Sequence, residues 1–166
     1  PETGEPVAPG ANGRLLVRGP NVFSGYIGEA KSPFLEFDGK FWYDTGDLMF
    51  DRDGVLVFAG RLKRFVKISG EMISLPAIEQ ALESYYPAGE GPVLAVAASG
   101  NEQHPELVLL TVLDTNRQEA NQAIRAAGLS PLHNIRLVRQ VEEIPLLGSG
   151  KTDYTAIKRM VREKDT

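Results

Sequence analysis

The stretch GRLKRFVKISGEMIS, residues 60–74, lies where the chain changes from one kind of structure to another. Upstream, GRLLVRG (13–19) is a short apolar run bounded by turn residues. FWYDTGDLMF and VLVFAGR flank an Asp53-Gly54 pair, which is typical of a β-hairpin. RFVKIS alternates between two faces and predicts one further strand. The chain is therefore predicted to be β-rich up to about residue 62.

Downstream of this stretch the pattern predicts helices and buried strands. LPAIEQALESYY carries one apolar stripe at helical spacing behind an early Pro76, formed by Ile78, Ala81, Leu82 and Tyr85. GPVLAVAAS and LVLLTVL are apolar runs suited to buried strands, and IRLVRQV predicts another strand.

Two further helices have recognisable ends. Thr115 and Gln118 form a capping-box pattern before the first of them, and Gly128 ends it. Thr152 or Asp153 can cap the last helix. Its inward-facing residues are predicted to be Ile157, Met160 and Val161. The predicted fold class is therefore α+β, with a β-rich segment followed by a compact unit in which a short central sheet is flanked by helices.

Composition excludes several function classes. A net charge of −4 argues against nucleic-acid binding. The chain has no cysteine for a disulfide or thiolate site, and its two histidines lie far apart. No run approaches the roughly 18 apolar residues of a membrane span. The chain opens on PETGEPVAPGANG, without an initiator methionine, so we expect it to be a piece of a longer protein.

An acid follows a Thr-Gly turn in YDTGDL (43–48). Reflecting the hairpin about Asp53-Gly54 places Asp47 roughly opposite Phe58, three residues from Arg61. A carboxylate can accept bonds from vicinal hydroxyls, and a guanidinium can donate to hydroxyl or phosphate oxygens. The alternative is a turn aspartate beside a surface arginine, and this motif alone leaves both interpretations open.

Two groups of cations also need explanation. Arg61, Lys63, Arg64 and Lys67 form either a solvated strand face or a patch for a nucleotide, a coenzyme or an acidic partner. Lys151 lies in PLLGSGKTD (145–153), which resembles the end of a phosphate-binding P-loop. Pro145 occupies the position of the first P-loop glycine, so that interpretation fails. The glycine pair that precedes Lys151 instead predicts a flexible loop that presents this lysine in front of a helix.

Taken in order, YDTGDL, GRLKRFVKISGEMIS and PLLGSGKTDY resemble the closing motif series of the adenylate-forming acyl ligases, over nearly the whole chain. Within that superfamily, KRFVKISGEMIS and IPLLGSGKTD look most like the bifunctional acyl-acyl-carrier-protein synthetase/2-acylglycerophosphoethanolamine acyltransferases. The resemblance implies that 1–62 is the trailing β segment of a large N-terminal adenylation domain. It implies that 63–166 is the mobile C-terminal domain.

The resemblance also implies roles for single residues. Asp47 matches the aspartate that holds the ribose hydroxyls of ATP, and Arg61 matches its arginine partner. Lys151 matches the catalytic lysine that bridges the acyl carboxylate and the nucleotide during adenylation. Lys63 falls at the hinge of the mobile domain. The remaining matches fall in the loop that admits a pantetheine arm, at Lys67 and Gly70.

The implied enzyme uses ATP and Mg²⁺ to activate a fatty acid and transfers the acyl group to acyl carrier protein, in connection with lysophospholipid reacylation. The metal ligands, the phosphate loop and the acyl pocket are expected in a missing N-terminal part, so this chain is expected to be inactive alone. The alternatives are an acyl-CoA synthetase C-terminal domain and a non-catalytic module that docks a carrier protein. The carrier protein's body would meet a basic surface formed by Arg136, Arg139, Lys158, Arg159 and Arg162. The implied location is the cytoplasm, or the cytoplasmic face of a bacterial inner membrane for the longer enzyme.

Overall fold

The computed structural model describes residues 5–27, 32–86, 89, 91–101 and 104–162. The chain divides into two compact units, Pro1–Arg64 and Phe65–Thr166. The described residues form nine strands and three helices. None of the helices in these ranges is long and apolar enough to cross a membrane.

The first unit is an antiparallel sheet built around one long strand. Its strands are β1 (Gly13–Val17), β2 (Phe34–Phe37), β3 (Lys40–Arg52) and β4 (Val55–Arg61). β3 pairs with each of the other three strands. Asp53 and Gly54 both have positive φ, 54° and 82°, which is the geometry of a tight hairpin turn matched to strand twist. The hairpin predicted from this Asp-Gly pair is confirmed.

The second unit contains the remaining elements. They are β5 (Phe65–Ile68), β6 (Glu71–Ser74), α1 (Leu75–Tyr85), β7 (Leu94–Asn101), β8 (His104–Thr111), α2 (Arg117–Ala126), β9 (Leu137–Gln140) and α3 (Tyr154–Arg162). β5 and β6 form a hairpin. The main sheet has the order β7-β8-β9, with β7 antiparallel and β9 parallel to β8.

Both faces of the main sheet are covered by helices. Val96 and Leu109 belong to a core that also contains Ile78 of α1 and Ile124 of α2. Residues that alternate with them along the strands belong to a second core, which contains Ile157 and Val161 of α3. Because successive strand residues point to opposite faces, strands buried on both faces need apolar residues at every position. This explains the continuous apolar runs of β7 and β8, and the predicted fold class is confirmed.

Two details of the helices differ from the prediction. The N-cap of α2 is Asn116, whose side chain accepts from the N–H groups of Gln118 and Glu119, so the predicted cap at Thr115 is wrong. Asparagine is the better capping residue, and Thr115 is buried and donates instead to Glu119. Tyr85, predicted to be inward-facing, is 55% exposed because α1 ends at that residue.

Candidate functional site

Asp47 lies on β3 beside a β-bulge that local side chains stabilise. The pairing of β1 with β3 shifts between Arg14 and Leu16, which leaves Thr45 and Gly46 without regular strand partners. Thr45 Oγ1 accepts from the Asp47 N–H at 3.1 Å and donates to the Leu15 carbonyl at 3.0 Å. Gly46 has a φ of 71°, a conformation that glycine adopts without strain. The Thr-Gly pair therefore fixes the backbone from which the Asp47 side chain projects.

A second bulge, between β3 and β4, brings Asp47 opposite Arg61. Leu48 pairs with Gly60 and Met49 with Phe58, so Ala59 is an extra residue in β4. The predicted position of Asp47 opposite Phe58 is therefore wrong. The ladder next to the turn pairs Arg52 with Val55 and Met49 with Phe58, so a reflection about the turn places Asp47 opposite Gly60. The bulge then shifts the partner by one further residue, to Arg61.

Asp47 and Arg61 form an ion pair at the end of this ribbon. Arg61 Nε lies 3.1 Å from Asp47 Oδ1, and the two side chains are 69% and 22% exposed. The contact lacks hydrogen-bond geometry, so Oδ1 is buried against Arg61 without a hydrogen-bond donor. Exposed ion pairs hold their partners weakly. The arrangement therefore leaves both groups able to exchange this contact for bonds to a ligand.

An open cavity of about 670 Å³ lies beside the ion pair. Its lining includes the cationic side chains of Arg61 and Lys63, an ion pair between Arg14 and Asp44, and the hydroxyl-bearing residues Ser32, Tyr43 and Thr45. This volume lies within the usual range for small-molecule sites. The cavity can therefore accept a ligand that carries hydroxyl groups and negative charge.

Tyr43 belongs to an aromatic cluster at the edge of this cavity. Its ring packs edge-to-face against Phe23 and Phe34, and its hydroxyl lies 3.0 Å from that of Tyr26. The hydrogen bond with Tyr26, together with desolvation and the nearby carboxylates, raises the pKa of Tyr43 above its ordinary value. Tyr43 therefore presents a neutral hydroxyl, hydrogen-bonded to Tyr26, at the edge of the cavity.

The predicted hinge and pantetheine-loop residues lie on either side of the boundary between the two units. Lys63 is exposed in a short 3₁₀ turn, Leu62–Arg64, at the end of the first unit. Lys67 is exposed on β5, and Gly70 lies in the β5–β6 turn. Gly70 has a φ of 88°, but a Cβ atom there would have nothing within 4 Å. Backbone conformation, rather than crowding, therefore explains glycine at this position in the second unit.

Lys151 is presented by a hydrogen-bonded hairpin, not by a flexible loop. The Leu147 N–H donates to the Lys151 carbonyl at 2.7 Å, and the Gly150 N–H donates to the Leu147 carbonyl at 2.8 Å. Leu146 and Thr152 form a bridge. The flexible-loop prediction is wrong, because these bonds close the turn immediately around the lysine. The Lys151 side chain is exposed and has no hydrogen-bond or ion-pair partner among the described residues.

Lys158, Arg159 and Arg162 share the exposed face of α3. Arg139 behaves differently, because its Nη1 donates to the Met160 and Val161 carbonyls at 2.7 and 3.2 Å. Arg139 therefore satisfies carbonyls at the C-terminal end of α3, where a cation is favourable. Of the predicted basic surface, Arg136 and the three α3 residues are exposed, whereas Arg139 is half-buried.

Sequence reasoning missed Glu79. This glutamate is only 7% exposed, on the face of α1 that otherwise buries apolar residues. The sequence around Glu79 does not predict its burial, because its hydrogen-bond partners, Val96 and Tyr154, are distant in sequence. Within the described ranges, no group of three or more His, Cys, Asp or Glu side chains could hold a metal ion.

The fold matches that of the C-terminal domain of adenylate-forming ligases. A probable CoA ligase, CCL5, from Humulus lupulus is 30% identical over 91% of this chain and 28% of its own length. The phenyloxazoline synthase MbtB from Mycobacterium tuberculosis is 34% identical over 87% of the chain and 10% of its own length. The solved O-succinylbenzoate CoA synthetase from Bacillus subtilis, in complex with ATP and magnesium ion, superposes with a TM-score of 0.70 at 22% identity, over 93% of this chain and 32% of that one.

No family model matches the chain. The chain spans less than a third of the length of the CoA ligase and synthetase that it resembles. The sequence relatives and the structural neighbour nevertheless support the superfamily resemblance, because they are a CoA ligase, a phenyloxazoline synthase and a CoA synthetase by name.

Proposed function

We propose that this chain is the C-terminal part of an ATP-dependent ligase that activates a carboxylic acid as its adenylate and passes the acyl group to the thiol of CoA. The observation that carries the proposal is the Asp47–Arg61 ion pair, which lies directly across the β3–β4 ribbon beside a cavity of ligand size. A carboxylate beside a guanidinium suits a ribose that is attached to phosphate.

The proposed reaction has two steps. A carboxylate oxygen of the acid attacks the α-phosphorus of ATP, a new O–P bond forms, and pyrophosphate leaves as the α–β bridge breaks. The thiol sulfur then attacks the acyl carbonyl, AMP leaves, and the thiol proton is lost to base. Negative charge develops on oxygen in the first step, so an ammonium at that position stabilises its transition state.

Lys151 supplies that ammonium in this proposal. Its side chain is exposed and has no ionic partner in the described part of the chain, while the backbone on both sides is held by hydrogen bonds. A fixed backbone with an unengaged charge is suited to reaching a ligand, because no existing ion pair has to be broken first. In the same proposal, 1–62 belongs to the adenylation domain and 63–166 to the mobile domain. Lys63 forms the hinge, and Lys67 and Gly70 belong to the pantetheine loop.

ATP would be held here through its ribose, by Asp47 and Arg61. The exposed Arg61 side chain and the polar lining of the adjoining cavity fit such a ligand, and Asp47 Oδ1 has no hydrogen-bond donor in the described part of the chain. The Mg²⁺ ligands are proposed to lie outside this chain. A cytoplasmic location and any attachment to a membrane remain predictions.

CoA is proposed as the acceptor because two of the three similar proteins are a CoA ligase and a CoA synthetase by name. Acyl carrier protein is a second candidate, with a fatty acid as the acyl donor and lysophospholipid reacylation as the associated process. The cationic face of α3 favours that candidate, since a net-acidic chain needs a local basic surface to bind an acidic protein.

The isolated chain of 166 residues should form no acyl-adenylate, because the phosphate loop and acyl pocket implied by the resemblance are not in its sequence. The measurement is ATP–pyrophosphate exchange with a panel of fatty and aromatic acids. The positive control is the longer enzyme, which should exchange pyrophosphate and form a thioester with CoA. Clear turnover by the isolated chain would show that it is a complete catalyst and would contradict its assignment as a part of one.

Reversing two charges on α3 tests whether acyl carrier protein or CoA accepts the acyl group. If carrier protein is the acceptor, Arg159→Glu with Arg162→Glu should slow acyl transfer to it by about tenfold or more at low salt, because steering between exposed charges depends on ionic strength. Transfer to CoA should be unchanged. The matched control is Arg117→Glu with Arg125→Glu, which makes the same charge change at exposed positions on α2. Unchanged transfer to carrier protein in both double variants would reject the docking role of α3.

A further inference from the structure

Glu79 is buried in the second unit, and two hydrogen bonds join it to other elements. Its Oε1 accepts from the Val96 N–H at 2.7 Å, and its Oε2 accepts from the Tyr154 hydroxyl at 3.1 Å. The carboxylate therefore joins α1, β7 and the first residue of α3. Hydrogen bonds to an ionised acceptor are the stronger kind, and leaving such a group unsatisfied is costly.

The position of Val96 explains how one side chain reaches both helices. β7 is an outer strand of the order β7-β8-β9, so its outward-facing N–H groups have no neighbouring strand in this sheet. α1 and α3 pack into cores on opposite faces of the sheet. Glu79 consequently satisfies an edge N–H group and links the two helical layers around that edge.

Tyr154 is connected to the Lys151 hairpin through its neighbour in the chain, Asp153, which hydrogen-bonds to both the helix and the hairpin. Tyr154 follows Asp153, whose Oδ1 caps α3 by accepting from the N–H groups of Thr155 and Ala156 at 2.9 and 3.0 Å. The Asp153 N–H donates to the Pro145 carbonyl at 2.8 Å, at the base of the hairpin. The start of α3 and the hairpin that presents Lys151 are thus anchored together.

We propose that Glu79 and Tyr154 are positioning residues for Lys151. Ile144, Ile157 and Val161 belong to one core, and the Tyr154 ring packs against it, so apolar contacts already hold α3 and the base of the hairpin against the sheet. The Tyr154 hydroxyl adds a polar contact to this packing. The Tyr154–Glu79 bond fixes the first residue of the helix. The hairpin is held in turn, because the preceding residue, Asp153, donates to the Pro145 carbonyl at its base. The inference rests on the proposed function only for the chemical role of Lys151. The anchoring of the hairpin can be tested without catalysis.

The test is amide hydrogen exchange on Tyr154→Phe in the isolated chain, measured by NMR. This change removes one hydroxyl and keeps the ring. The matched control is Tyr86→Phe, which removes the hydroxyl that bonds to Thr115 in the same unit. In Tyr154→Phe, the protection of the Leu147, Gly150 and Asp153 amides should fall by about fivefold, as expected for one lost hydrogen bond. Amides in β8 should change less, and Tyr86→Phe should not affect the hairpin selectively.

Equal loss of protection in the hairpin and in β8 would mean that Tyr154 only stabilises the fold, and unchanged hairpin protection would equally overturn the proposal. Glu79→Gln keeps a side chain that can accept from Val96, so it should loosen the hairpin less than Glu79→Ala. This pair keeps the proposal testable if Tyr154→Phe does not fold.

In the longer enzyme, Tyr154→Phe should lower kcat for pyrophosphate exchange by about fivefold and leave KM for ATP unchanged, since the proposed ribose contacts lie in the other unit. If the hairpin loosens but Lys151→Ala does not affect adenylation, the proposed function fails and the anchoring stands. If Lys151→Ala abolishes adenylation while the hairpin stays protected in Tyr154→Phe, the anchoring alone fails.

Discussion

Replacing Lys151 by alanine is expected to lower acyl-adenylate formation in the longer enzyme by about 10²- to 10³-fold, the usual loss when one preorganised group that stabilises transition-state charge is removed. Thioester formation from pre-made acyl-adenylate should change little, because negative charge on the attacking carboxylate and the α-phosphate is a feature of the first step. The two rates can be measured separately, by ATP–pyrophosphate exchange and by single-turnover transfer from synthetic acyl-adenylate.

The fold should not change in this variant. The Lys151 side chain is exposed, and the bonds that close its hairpin involve the backbone alone. Lys40→Ala, at another exposed lysine, is the matched control and should leave both rates unchanged. Equal losses in the two half-reactions would show that Lys151 does not act specifically on adenylation.

Replacing Asp47 by alanine is expected to raise KM for ATP by about 10²- to 10⁴-fold, with a smaller change in kcat. Two hydrogen bonds from ribose hydroxyls to a carboxylate would be lost, each worth roughly 1.5–3 kcal/mol when one partner is charged. The bulge should survive, because the Asp47 N–H donates to Thr45 and does not depend on the carboxylate. Initial rates of adenylation over a range of ATP concentrations provide the measurement.

One further substrate and one control variant make this test specific for the ribose contact. ATP that lacks both ribose hydroxyls should be used almost equally by Asp47→Ala and by the unaltered enzyme, since the contact is then missing in both. Glu36→Ala removes an exposed carboxylate from the same unit, outside the lining of the Arg61 cavity, and should leave KM unchanged. A preference for unaltered ATP that persists in Asp47→Ala would mean that another residue binds the ribose.

Local sequence patterns determined most of the elements of the fold. The Asp53-Gly54 pair specified its hairpin because few residues other than glycine and aspartate adopt positive φ readily. Gly128, with a φ of 80°, follows α2 for the same reason. The apolar runs of β7 and β8 predicted buried strands, because burial on both faces favours apolar residues at successive positions of a strand. Each of these signals lies within a few residues of the structure that it specifies.

Tertiary structure decided how the candidate site is assembled. Asp47 and Arg61 were both identified from motifs, but their direct pairing depends on an extra residue in β4, and a bulge has no reliable local signal. The Lys151 hairpin is closed by backbone bonds whose formation depends on where the chain turns. Glu79 bonds to Val96 and Tyr154, which lie 17 and 75 positions away in sequence. A periodic pattern within one helix cannot predict such contacts. The sequence by itself therefore determined which residues are candidates for the chemistry, since residue type is local. Their register and anchoring were decided by hydrogen bonds between distant segments, which exist only once the chain has folded.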